Sequence, residues 1–424
     1  MPGIQVDRCW RYTSAPQVVI AAILLLCLSL LSPTGVEAEE DGEKKDLFFY
    51  RITDVRRYFV WGWNFLPTGI DVTIGYELPP WFAGVDTILQ ATLGGGYEGF
   101  GTFRAFDYTP NTPVIPTEAA ADPNGNFEFN NPNFQWQAGI RQGILWNPAA
   151  ERNLLEAFLY YRGRYDRYLD GRHYWGSDES QIAAIESSHE IWQSKYEGSD
   201  AYGIFGTSLL TGIAYDALRF DPRSKAYDGT YAEASFEISP YFPSVPGASD
   251  FWRLNFSTKS FKTLYEARPD TAKNWFTIYA GSYFSIDYAD ARRQMPLYVM
   301  QTFGGTEPRK GLAHAVRGFE DYSWDTQLKI VHNLDLRFNL PVIYSIRGRD
   351  LLPGLVVYFD LGYGTRYWGD PLDTQGGFLG STGVGAYFGL LDIVYIQIYS
   401  HFPLIGERID GAPFALDLDI GLQF

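Results

Sequence analysis

The most restrictive feature of this chain is a two-residue alternation of apolar and polar side chains, recurring in runs of about ten to fifteen residues. In Tyr231–Ser239, Ala232, Ala234, Phe236 and Ile238 fall on one face, and Glu233, Ser235 and Glu237 on the other. In Trp252–Lys259, Trp252, Leu254 and Phe256 oppose Arg253, Asn255 and Lys259. A period of two is that of a strand, whose successive side chains point to opposite faces. A charged face several strands wide cannot pack into a dry core without compensation. It suits a water-filled lumen, with the apolar face in lipid. A soluble β-sandwich with one solvated face is the other reading of the same pattern.

The last strand separates the two. Phe414–Phe424 puts Leu416, Leu418, Ile420, Leu422 and the terminal Phe424 on one face, and Asp417, Asp419 and Gln423 on the other. This apolar ladder with a C-terminal aromatic resembles the assembly signal of bacterial outer-membrane barrels, carried here by Leu418, Ile420, Leu422 and Phe424.

The N-terminus fits an exported chain. Arg8 and Arg11 precede the apolar run Val18–Ser32, which is short for a membrane-spanning helix. Val36-Glu37-Ala38 supplies small residues for cleavage, so residues 1–38 read as a signal peptide and 39–54 as a short charged periplasmic leader. An uncleaved anchor is the alternative. Cys9 and Cys27 both lie within the signal, so disulfides, thiolate catalysis and cysteine metal sites fall away. Asp7 and Glu37 balance Arg8 and Arg11, leaving the net charge at −16 beyond the signal. Such an acidic balance argues against nucleic acid as a partner.

Residues 55–424 then read as an all-β, transmembrane antiparallel β-barrel of about 14–16 strands. The strand candidates are Arg56–Trp63, Ile70–Leu78, Asp86–Phe106, Phe134–Trp146, Leu154–Leu169, Gly203–Leu218 and Thr230–Ser239. They continue with Phe251–Lys262, Asn274–Ile286, Thr326–Leu340, Gly354–Gly364, Gly380–Leu391, Ile393–Leu404 and Phe414–Phe424. A further pair is open if Asp86–Phe106 or the leader hides one. Residues 111–133 read as a loop, and Gln181–Tyr196 as a short helix within a polar connection. Counting back from a periplasmic C-terminus puts the turns at 147–153, 220–228, 267–273, 341–353 and 391–392 inside. The longer connections 107–133, 170–202, 288–325 and 365–379 fall outside, the asymmetry expected of such barrels.

Residues 288–325 lack sustained alternation. Long connections of this kind are usually functional or disordered. This one is basic, with Arg292, Arg293, Arg309, Lys310 and Arg317. A guanidinium away from water needs a carboxylate or many acceptors, and Asp360 is the acidic partner nominated for Arg317.

Five pieces in order now carry a resemblance. They are GIAYDALRFDPRSKAYDGTYAEASFEIS, GGTEPRKGLAHAVRGF, NLDLRFNLP (Asn333–Pro341), VVYFDLG (Val356–Gly362) and STGVG (Ser381–Gly385). Over about residues 210–424 the chain resembles the outer-membrane protein 85 superfamily, the bacterial-surface-antigen barrels (BamA/TamA-like) that insert or translocate proteins. The resemblance implies that the long loop folds into the lumen. Its tip Val316-Arg317-Gly318-Phe319 would reach acids on the inner wall, here Asp335, in place of the usual glutamate, and Asp360. Strand parity agrees, since Asn333, Asp335, Arg337 and Asn339 face inward, as do Tyr358, Asp360 and Gly362. Gly362, Gly383 and Gly385 would let the loop approach closely. The family's larger members carry POTRA domains before the barrel; here only the short leader is expected.

No histidine pair has metal spacing and no G-x-S-x-G occurs, so the chain reads as neither an enzyme nor a cofactor protein. Ser187-Ser188-His189-Glu190 reads as a polar outer loop. Two functions stay open. One is a protein insertase or translocase barrel working in outer-membrane protein assembly or secretion with a separate periplasmic partner. The other is a passive pore, lipid-interacting or structural surface-antigen barrel. Either would contact outer-membrane lipid and lipopolysaccharide, and the barrel assembly machinery during biogenesis.

Overall fold

Strands rich in aromatic and β-branched residues form where the alternation runs, and consecutive strands pair with one another. The computed structural model describes residues 56–65, 68–82, 85–104, 126–147, 152–167, 169–170, 203–221, 226–240, 251–267, 276–290, 296–306, 309–319, 326–341, 344–346, 349–365, 377–390, 394–406 and 413–422. The segments read as a signal peptide (1–38), a leader (39–54) and a short helix (181–196), together with residues 187–190 and Phe424, lie outside these residues.

Among the described residues fourteen long strands follow one another: β1 (Arg56–Phe65), β2 (Thr68–Phe82), β3 (Val85–Arg104), β4 (Asn126–Asn147), β5 (Arg152–Arg167), β6 (Gly203–Asp216) and β7 (Ala226–Ser239). Then come β8 (Phe251–Ala267), β9 (Phe276–Asp290), β10 (Leu328–Asn339), β11 (Arg349–Thr365), β12 (Gly377–Leu390), β13 (Val394–Ile405) and β14 (Ala415–Leu422). Each pairs antiparallel with the next, from β1–β2 to β13–β14. The architecture is an up-and-down antiparallel β-barrel. The edge strands β1 and β14 approach within 8 Å between Cα atoms. Among the described residues no ladder joins them, so the sheet is not closed by hydrogen bonds along this seam.

The outward face is apolar. Phe236, Ile238, Leu254, Phe256, Val357 and Phe359 are exposed, while their polar neighbours in sequence point inward. A band of this kind needs lipid, because water penalises contiguous apolar surface.

The inward face differs from the water-filled lumen expected from the charge pattern. Glu233, Glu237, Arg253, Asn255, Asp287 and Lys329 are all buried. The physical reason is the connection between β9 and β10, which lies against them. It contains two one-turn helices, α1 (Leu297–Met300) and α2 (Leu312–Ala315), and a two-stranded piece pairing Thr302–Phe303 with Arg309–Lys310. The loop supplies main-chain donors and acceptors to the wall charges, and so compensates their loss of water.

Several boundaries also differ. β4 begins at Asn126, inside the segment read as loop, and continues the ladder with β3 through Phe127 and Phe129. β11 begins at Arg349, where Tyr344–Ile346 folds back to pair with it. In both places pairing continues past the alternating stretch, because hydrogen bonds between strands need no apolar face. Asp86–Phe106 is one strand, Val85–Arg104, rather than a pair, and fourteen long strands stand among the described residues; the leader lies outside them.

Short connections (83–84, 148–151, 391–393) alternate along the meander with long ones (105–125, 168–202, 291–327). Pro413 and Ser345 belong to opposite ends by this alternation. In a background with Cys9 and Cys27 replaced by serine, Pro413→Cys should react with an impermeant maleimide on intact cells. Ser345→Cys should react only after the outer membrane is opened. Equal labelling of both would contradict the topology.

Candidate functional site: a loop latched inside the barrel

The ladder registers place the site. Asp335 on β10 lies opposite Tyr358 on β11, Tyr358 opposite Gly383 on β12, and Gly383 opposite His401 on β13. One row along, Asn333 lies opposite Asp360 and Asp360 opposite Ser381. Cross-strand partners share a face. Two adjacent inner rows therefore carry both acids, and the long loop delivers Arg317 between them.

Arg317 is held at four points. Its main-chain N–H donates to Asp360 Oδ2 at 3.0 Å, and its Nε donates to the same oxygen at 2.7 Å. Nη2 donates to Asp360 Oδ1 at 2.7 Å and to Asp335 Oδ1 at 2.6 Å. The Asp360 contact is a bidentate fork, the strongest arrangement available to an arginine–carboxylate pair. Asp335 is shared, since Arg337 Nη2 donates to its other oxygen at 2.8 Å. The guanidinium also lies 3.7 Å from the centroid of the Tyr358 ring and 5.7 Å from that of Tyr399. Burial works to lower the Arg317 pKa, but the hydrogen bonds and charge of Asp360, then those of Asp335, outweigh it and raise the pKa above the ordinary value. The group is a permanent cation.

The rest of the tip is apolar. Leu312, Ala313, Ala315, Val316 and Phe319 form one buried cluster with Phe303 of the loop and Val331 and Leu379 of the wall. Asn333 Nδ2 donates to the carbonyl of Ala315 at 2.7 Å and ends α2 against β10. Burying a side chain such as Leu312 or Phe319 contributes about 1.5–3 kcal/mol each. The ion pair contributes less net energy, because Asp360 is fully buried and had to be desolvated. The apolar cluster therefore holds the tip down and Arg317 fixes where it sits.

Gly318 has φ +89°, a backbone conformation that favours glycine, and a Cβ there would lie 2.7 Å from His401 Cβ. At Gly362 a Cβ would lie 2.6 Å from Val316 Cγ2 and 2.9 Å from Leu312 Cδ1, so this glycine admits the loop. Gly383 and Gly385 differ from the expectation. A Cβ at Gly383 would meet the Tyr358 hydroxyl at 2.5 Å, and one at Gly385 would meet the Tyr399 ring at 2.6 Å. They make room for the two rings beneath Arg317, and reach the loop only through them. Of the C-terminal ladder, Leu418, Ile420 and Leu422 lie in β14.

Sequence reasoning passed over Tyr358, Tyr399 and His401. Tyr358 shares the inward parity of Asp360, which is the signal that points to it. His401 bonds the Tyr358 hydroxyl through Nδ1 and stacks on Tyr399 at 5.6 Å between ring centroids. It props the shelf on which the guanidinium rests.

The fold and the site define an antiparallel β-barrel that holds its own long loop inside, latched by an arginine between two wall acids. No protein-family model and no curated protein matches the sequence. Among solved structures, the chain is similar to BamA from Haemophilus ducreyi lacking POTRA domains 1-3, at 12% identity and a TM-score of 0.46, covering 84% of this chain and 62% of that one. It is also similar to CdiB from Escherichia coli, at 11% identity and a TM-score of 0.44, covering 84% of this chain and 53% of that one. The chain thus spans less than two thirds of the length of either.

Replacing Arg317 by alanine leaves the buried Asp360 without its cation, a loss of about 3–5 kcal/mol for a buried pair. Protease should then cut within 309–319 in the folded barrel. Asp360→Ala should expose the same segment, and the double variant should be no worse than the more severe single one. Additive effects would mean that the two side chains do not interact.

Proposed function

We propose that this chain is an outer-membrane barrel of the outer-membrane protein 85 type that helps insert or translocate protein substrates, with a separate periplasmic protein presenting them. The observation that carries the reading is the docked loop. Arg317 is gripped by Asp360 and Asp335, and the tip buries an apolar cluster on the wall. A passive pore is favoured by an open, hydrated lumen. Here Arg253, Asp287 and Lys329 are nearly or wholly shut off from water by the loop. A plug whose tip is held by one ion-pair cluster and one apolar cluster suits a barrel that stays shut and reorganises when a substrate arrives. The five sequence pieces shared with the superfamily support the same reading.

Two measurements on the purified barrel in bilayers of outer-membrane lipid test it. The first is single-channel conductance, which should be small and intermittent for the native chain and larger for Arg317→Ala. The second is the folding rate of a urea-unfolded outer-membrane protein added to proteoliposomes. That rate should exceed the rate in protein-free liposomes and fall for Arg317→Ala. A large steady conductance with no acceleration of folding would favour the passive-pore reading and overturn this one.

A further inference from the structure

We infer that the loop carries a second latch, separate from Arg317, in which charged wall residues grip the main chain around Gly304-Gly305. The inference concerns the loop alone and stands whatever the barrel handles.

The second latch is built on different strands. Asp287 on β9 lies opposite Asn255 on β8 and opposite Lys329 on β10. Arg253 Nε donates to Asp287 Oδ2 at 2.8 Å, and Lys329 Nζ lies 3.0 Å from Asp287 Oδ1. These three form a buried charged cluster with two cations and one anion. Buried charge of this kind is costly unless further acceptors complete it, and the loop supplies them. Lys329 Nζ donates to the carbonyls of Val299 at 3.0 Å and Met300 at 3.4 Å. Arg253 donates to the carbonyl of Thr302. In return the wall acids take loop amides. Gly304 N–H donates to Asp287 Oδ2 at 2.7 Å, and Thr306 N–H donates to Glu233 Oε1, on β7, at 2.7 Å.

The Thr302 and Thr306 hydroxyls add bonds to Arg253 and Glu233, but the contacts named above are all made by main chain. That explains the glycine pair. A Cβ at Gly304 would lie 2.9 Å from Arg253 Nε and 3.1 Å from Asp287 Oδ2. At Gly305, φ is +103° and a Cβ would lie 2.7 Å from Glu233 Oε1. The backbone reaches the wall charges only because both side chains are absent.

The two latches divide the loop. The root, 296–306, is gripped by β5 and by β7 to β10. The tip, 309–319, is gripped by β10 to β13, with Arg309 also over the Tyr283 ring of β9 at 3.9 Å. Phe303 is the root's contribution to the tip's apolar cluster. Loss of the Arg317 latch therefore loosens the tip, which its apolar cluster still holds, while the root stays docked.

Residue-resolved hydrogen exchange on the full chain in lipid nanodiscs tests this. Arg317→Ala should raise exchange at the amides of 312–319 by about tenfold or more, as expected for loss of a charge-assisted contact. The Gly304 and Thr306 amides should change less than about threefold. Gly304→Ala works from the loop side and leaves every wall residue in place. Asp287→Asn works from the wall. Each should raise exchange at Thr306 by about tenfold, while heat-modifiable gel migration reports an intact barrel. If Arg317→Ala exposes root and tip alike, the loop has a single latch and the inference is wrong. It is equally wrong if Gly304→Ala and Asp287→Asn both leave Thr306 protected in folded barrels.

Discussion

A guanidinium inside a protein must meet carboxylates, and the architecture here follows from how Arg317 meets Asp360. The bidentate fork, at 2.7 Å to each oxygen, fixes the orientation of a loop tip that would otherwise be an apolar plug free to slide. The barrel wall provides that geometry. Only a rigid ladder sets Asp335 and Asp360 on neighbouring strands in adjacent inner rows. Only missing side chains at Gly362 and Gly318 let Val316 and the chain beside Arg317 settle onto the wall. The energetic division is plain. Apolar burial by Leu312, Val316 and Phe319 supplies most of the docking energy, and the ion pair supplies register at a large cost if broken.

The inner wall resolves a conflict that alternation alone creates. Apolar residues facing lipid oblige the other face of each strand to carry Glu233, Arg253, Asp287 and Lys329. In a wide barrel such charges sit in water. Here the connection between β9 and β10 lies against them and offers its own amides and carbonyls instead. The loop is then as much a solvent for the wall as a plug for the lumen. Two of its segments do this in different ways: one by main chain around two glycines, the other through a single arginine on an aromatic shelf.

Much of this was legible in the sequence, and the limits are physical. The face on which Asp360 lies could be read from VVYFDLG, because parity is local and Val357 and Phe359 mark the lipid side. The break in alternation over 288–325 marked the loop. The loop's arrival at the wall is not a local property: the need of a guanidinium for a carboxylate nominated Asp360, and the resemblance to a known superfamily added the lumen and Asp335. The charged face carrying Glu233, Glu237 and Arg253 was read as wet, because nothing near any one of them in sequence says that a loop covers it. Gly304-Gly305 stood out as a pair, but its reason lies in wall charges contributed from positions 233, 253 and 287. Gly383 and Gly385 were tied to the loop because the aromatic rings between them and it become visible only once the register of β11, β12 and β13 is known. The start of β4 at Asn126 was hidden by asparagine and proline, which weaken strand signals without preventing pairing.

The central claim is that the loop lies inside the barrel against β10 and β11. A cysteine pair tests it most directly. A Cβ at position 362 would lie 2.6 Å from Val316 Cγ2, so side chains at the two positions touch, as a disulfide between them requires. Val316→Cys with Gly362→Cys, in a chain without other cysteines, should form an intramolecular disulfide in outer-membrane fractions. The bond should appear as a reducible shift in the migration of the unfolded chain, while heat-modifiable migration shows that the barrel itself has folded. A correctly folded barrel in which both thiols stay free under mild oxidant would place the loop elsewhere and contradict the account.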